Sequence, residues 1–286
     1  MLNIYNLLSI IFLIFSIVSC WLIPKYYLFA PIYLISYCLA FLGGLVSYSS
    51  LFPLTILVLA ILGVKFNINR MGFYLCCLII SIIAIASMVG VLSGFNLLAI
   101  YNDLEIGSSK NLITISVNYS QASVAVFILG VLCRLNSTLE EWKNTLLISI
   151  PWIAFTCVIY LGYIHISNLS AFEFKLPAII APWLLYNFFF VTIPQEAIFR
   201  GFIQNQITES LQNKAAPILA IVFSSILFAT IQTFFIPNFI FFVGMFIISS
   251  LYGIIFYYSG SIECAIISHF VINIIQFCFY SYPLIR

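Results

Sequence analysis

Long apolar runs follow one another through this chain with only short charged or polar breaks between them, a pattern that leaves little but a bundle of membrane-spanning helices. A bilayer span takes about 20 apolar residues in a helix, because hydrocarbon offers no partner to an unpaired backbone N–H or C=O. The breaks fall at Lys25, Lys65 to Arg70, Asp103 to Lys110, Arg134 to Asn144, His165 to Lys175 and Glu209 to Lys214. They delimit about ten spans, at 2–23, 26–43, 45–64, 72–99, 114–133, 145–164, 177–203, 215–233, 237–258 and 262–281. Between 26 and 64 the turn is placed at Gly43-Gly44 and Ser47 to Ser50, the small and polar residues of that stretch. The expected fold class is all-α, a polytopic transmembrane helical bundle of about ten helices without strands.

Composition agrees with that reading. Only 6% of the 286 residues are charged and 64% are hydrophobic, too few polar groups to clothe a sizeable water-soluble domain. Ten basic and eight acidic residues are scattered singly, so no patch exists that would neutralise a run of phosphates, and nucleic acid is excluded as a partner. Eight cysteines lie mostly within apolar runs, without CxxC pairs, and read as small buried hydrophobes rather than disulfides or metal ligands. The first apolar stretch lacks a preceding basic region. It reads as an uncleaved first span despite the lipoprotein-like Ile17-Val18-Ser19-Cys20. Lys25, Lys65, Arg70, Arg134, Lys143 and Lys214 fall on one side of the ten-helix scheme and Lys110, Lys175 and Arg286 on the other, which puts both termini outside. The four tryptophans, Trp21, Trp142, Trp152 and Trp183, are expected as interface anchors.

Ionisable and amide side chains within such spans are costly, so each is a functional hypothesis. Glu196 and Arg200 stand one helical turn apart and can neutralise each other; a purely structural ion pair is the alternative reading. His269 and Asn273 stand one turn apart on the last apolar helix, and Gln232 closes another. Three late helices therefore bring polar groups into hydrocarbon, and mutual satisfaction in one pocket is the least costly arrangement. Glu263, at the start of the last helix, reads as a first-turn carboxylate and His165 as an ordinary interfacial histidine.

These residues carry a resemblance. Gln195-Glu196-Ala197-Ile198-Phe199-Arg200, Phe228-Ala229-Thr230-Ile231-Gln232 and His269-Phe270-Val271-Ile272-Asn273 are similar, in order and spacing, to the EExxxR, FxxxH and HxxxN motifs of the CAAX prenyl protease and bacteriocin-processing (CPBP, Abi) family of intramembrane proteases. The likeness covers roughly 177–281 and divides the chain into 1–170, transmembrane helices of unassigned role, and 171–286, a protease-like domain. It implies an integral, multi-pass protein of the bacterial cytoplasmic membrane, with membrane lipid and a hydrophobic or lipidated peptide or membrane protein as partners.

What the resemblance implies for the site is a glutamate and histidine that activate water, with a second histidine and an asparagine holding the oxyanion or the water. Here Gln195 replaces the first glutamate and Gln232 the first histidine. A carboxamide takes no proton from water near neutrality, and each lost general base removes about 10²- to 10⁴-fold. Site residues expected are thus Gln195, Glu196, Arg200, Gln232, His269 and Asn273, with no cofactor and no metal, since one histidine is short of a zinc ligand set. The expected function is a weakened or inactive protease homologue that binds a membrane peptide or protein. Alternatives are an active endopeptidase with Glu196 or His269 as base, or a transporter.

Overall fold

A computed structural model describes residues 3–22, 28–67, 69–106, 112–211 and 213–281. Ten helices run through the described residues, as the spacing of the apolar runs predicts. They are α1 (Ile4–Leu22), α2 (Phe29–Leu42), α3 (Leu51–Phe66), α4 (Arg70–Met88), α5 (Tyr119–Val131), α6 (Leu139–Ser167), α7 (180–211), α8 (Ala216–Phe235), α9 (Phe239–Ser259) and α10 (Ile262–Phe279). Among the described residues, seven helical segments are long and apolar enough to cross a bilayer. Lys25, Lys110 and Arg286, which enter the expected charge bias, lie outside the described residues.

One expectation is overturned. Strands β1 (Leu97–Glu105) and β2 (Leu112–Asn118) pair antiparallel, Leu98 opposite Val117 and Ala99 opposite Ser116. The exclusion of strands holds only inside hydrocarbon, where an open edge has no partner. Helix α4 has 19 residues, about 28 Å of rise, and so completes its crossing by Met88. The chain beyond it is free of that constraint. The hairpin rests on the bundle end, where Ile106 and Ile115 pack with Trp183, Phe277 and Cys278.

Two helices form the interior. In α5 every residue from Tyr119 to Val126 is buried, and the small Ala122, Ser123 and Ala125 let α1, α3 and α4 approach closely. Serine hydroxyls join the neighbouring pair: Ser36 donates to the Ser9 carbonyl at 2.6 Å and Ser16 to that of Phe29 at 3.0 Å. Helix α7 lies beside α5 and contacts α8, α9 and α10 as well, with every residue from Ile193 to Gln204 buried. It winds irregularly. Wide turns at Asn187–Thr192 and Ala197–Gln204 flank a regular turn at Ile193–Glu196, and the Ile193 N–H reaches the Phe188 carbonyl five residues back. Pro194 accounts for the first wide turn: it has no N–H to donate and its ring crowds the carbonyl four residues back, so the turn before it widens.

Candidate functional site

The widened helix sets the site. Gln195 and Glu196, on the regular turn, point differently: Gln195 lines a cavity of about 210 Å³, whereas Glu196 is wholly buried in the wall behind it. That divergence follows from the ~100° between successive residues of a helix. Helix α8 brings Gln232 to the same cavity, and α10 brings His269 and Asn273.

Glu196 stands at the centre of a buried charge cluster. Its Oε1 lies 2.7 Å from His269 Nδ1 and 3.3 Å from Arg200 Nη1, and its Oε2 lies 3.2 Å from Arg200 Nε. The last is a charge contact rather than an aligned hydrogen bond. Arg200 Nη2 donates to both the carbonyl and the hydroxyl of Ser249 on α9, each at 2.7 Å. The Phe228 and Tyr252 rings stand 5.3 and 5.5 Å from the guanidinium carbon. Opposite charge, serine oxygens and ring faces together offset the desolvation that a fully buried ion pair incurs.

The amides form a second cluster on the cavity wall. Gln232 Nε2 donates to Gln195 Oε1 at 3.2 Å, so the two glutamines bond to each other. Asn273 Nδ2 donates to Asn187 Oδ1 at 3.0 Å, and Thr192 Oγ1 donates to the same oxygen at 3.1 Å. Asn187 and Thr192 are five residues apart and face each other because the turn between them is wide. The structure thus brings all six sequence-expected residues together, four on the cavity wall and Glu196 with Arg200 behind it.

What this arrangement can do is limited by its acid–base groups. The carboxamides of Gln195 and Gln232 do not titrate near neutrality. His269, stacked on Tyr252 with centroids 4.8 Å apart, turns Nδ1 to the Glu196 carboxylate. A carboxylate on one ring nitrogen leaves the other as the nitrogen available to the cavity, as in carboxylate–imidazole pairs elsewhere. One carboxylate and one imidazole fall short of a zinc ligand set, and among the described residues no three His, Cys, Asp or Glu gather.

Several groups were not singled out in sequence. Asn187, Thr192 and Ser249 hold the site residues; Ser249 and Tyr252, three apart in the middle of a mostly apolar helix, were the available signal. Trp183 departs from its expected interface role: it is 3% exposed, stacked on Phe277 at 3.9 Å, and lines the cavity. Trp21 is likewise engaged within the protein, donating to Glu263 Oε1 at 2.9 Å. Glu263 also accepts from the Asn136 N–H at 2.7 Å and the Ser261 hydroxyl at 2.6 Å, so this buried carboxylate ties α1 and the chain before α6 to the start of α10. His165 is exposed at the end of α6. All eight cysteines are unpaired; Cys20, Cys264 and Cys278 are buried, while Cys38 faces outward.

Compared with known proteins, residues 176–275 match the family model described as Type II CAAX prenyl endopeptidase Rce1-like. No curated protein and no solved structure matches the chain.

Proposed function

We propose, from the premise that residues 176–275 form an Rce1-like domain of the CAAX prenyl protease type, that this integral, multi-pass membrane protein binds a hydrophobic or lipidated membrane peptide or protein without cutting it efficiently. The observation that carries the reading is the bond between Gln195 and Gln232. At the positions where the resemblance calls for a water-activating glutamate and histidine, two carboxamides satisfy each other, and neither can accept a proton. Glu196 does not stand in for them, being enclosed by Arg200 and His269. The cavity itself is lined by both amide and apolar side chains, among them Gln195, Gln232, Asn273, Val191, Phe241 and Met245. The proposed setting is the bacterial cytoplasmic membrane, the compartment that the resemblance implies.

A second reading, residual hydrolysis, is favoured by one contact, the 2.7 Å approach of His269 Nδ1 to Glu196, which would let the outer ring nitrogen act as base. The test is to incubate the purified chain and a His269→Ala variant with a lipidated or apolar membrane peptide and follow products by mass. Neither is expected to release fragments above the uncatalysed level. Fragmentation by the wild type that disappears in His269→Ala would replace the binding reading with hydrolysis from a relocated base.

A further inference from the structure

The cavity wall carries two carboxamide pairs, and how they pair determines what they offer. Gln232 donates to Gln195 at 3.2 Å, and Asn273 donates to Asn187 at 3.0 Å. A carboxamide has one donor end and one acceptor end. Joined head to tail, each couple therefore keeps one free donor and one free acceptor: the amide nitrogens of Gln195 and Asn187, and the carbonyl oxygens of Gln232 and Asn273. None of these four atoms is among the sealed, partnerless polar atoms of the interior, and all four residues line the cavity. Gln195 and Asn187 are each 7% exposed, so the only surface they keep is turned to that space.

Two free donors and two free acceptors in the cavity lining match in kind the N–H and C=O groups along the edge of an extended peptide. A continuous helix cannot use them, since its backbone groups already bond one another. Charge supplies the second half of the selectivity. Among the described residues, no Lys, Arg, Asp or Glu lines the cavity. Arg200, behind the wall, is fully buried and committed to Glu196 and Ser249, and Lys175 is held by the Tyr280 carbonyl and Glu173. A carboxylate brought into this space would lose its water and, among the described residues, find only the His269 ring, which is already paired with Glu196.

We propose that the cavity takes the uncharged backbone of a locally unwound membrane segment, with the Gln195–Gln232 and Asn187–Asn273 couples serving as a strand edge made of side chains, and that it rejects a free chain terminus. Val191, Phe228, Phe241 and Met245 then receive the alternate apolar side chains. The proposal rests on the binding reading above for its location and extends it to what is bound.

The test uses the full chain in lipid nanodiscs and three labelled apolar peptides: one with a central Gly-Pro break and a C-terminal carboxamide, its twin with a free carboxylate, and an unbroken helical control. Anisotropy gives Kd and mass analysis of the same samples gives cleavage. The broken carboxamide peptide is expected to bind at least about tenfold tighter than either of the others, the worth of one or two net hydrogen bonds. Gln195→Leu combined with Gln232→Leu removes one couple whole, its free donor and its free acceptor together, and is expected to lose about tenfold or more. Gln195→Glu, nearly isosteric, turns a donor into an acceptor and gives the same direction of loss. Equal or tighter binding of the carboxylate twin, no saturable binding of any peptide, or affinity unchanged in both variants overturns the proposal. Cleavage by the wild type alongside a preserved carboxamide preference would instead sink the non-cleaving reading and leave this one standing.

Discussion

Arg200 and Glu196 are both fully buried, and an ion pair withdrawn from solvent this completely depends on both partners being present. Arg200→Leu strands the Glu196 carboxylate with only the His269 ring nitrogen beside it, and should cost about 3–5 kcal/mol, read as a lower unfolding midpoint in detergent. Adding Glu196→Gln to Arg200→Leu should recover part of that loss, because the buried charge is then gone. A midpoint unchanged in Arg200→Leu would mean that the pair is hydrated rather than buried. At this scale much of the site was legible in the sequence. Glu196, Arg200, Gln232, His269 and Asn273 announced themselves as polar groups in apolar helices, and their spacing placed partners on common faces. Asn187 and Thr192 did not, since five residues is no regular helical neighbour distance, and only a widened turn brings them together. Trp183 was misplaced because an aromatic near a span end looks the same in sequence whether it faces the interface or stacks on Phe277.

The elements divide by how their neighbours constrain them. Helix α5 tolerates burial on every side because its packing positions are small. A Cβ at Gly130 would stand 2.3 Å from Phe29 Cε1 and 2.5 Å from Cδ1, atoms of a rigid ring on α2. Gly130→Ala is therefore expected to push α2 and α5 apart and destabilise the bundle by about 1–3 kcal/mol, measured by thermal unfolding. A neutral result would mean that the Phe29 ring turns aside freely. Most helices could be read from apolar run length, which a bilayer fixes directly. The hairpin could not, because Ser93-Gly94 and Asn96 before β1 and Asn118 at the end of β2 are interruptions short enough to be absorbed into apolar spans at 72–99 and 114–133. The wide turns of α7 were equally silent beyond Pro194, since a proline fixes that a helix must adjust but not whether it kinks or widens.

Across the whole molecule, one buried core runs from Ile10, Leu13 and Ile17 in α1 through α5 to Phe199, Phe228 and Ile266 beside the site. Glu263, gripped by Trp21 and the Asn136 N–H, adds a polar tie between the first helix and the last. The early helices thus support the wall that positions Glu196 and His269, a role that apolar composition alone could not reveal for residues 1–170. The central claim concerns that wall: a cavity within the Rce1-like region holds two carboxamides where the resemblance calls for proton acceptors. Its most direct test restores both, by Gln195→Glu together with Gln232→His in the full chain, and compares the release of fragments from a membrane peptide with that by the wild type. The account predicts that cleavage appears in the restored chain at least about 10²-fold above wild type, the smallest gain expected from a positioned general base. A folded restored chain that remains as inert as the wild type, or a wild type that cleaves as fast as the restored chain, would contradict it.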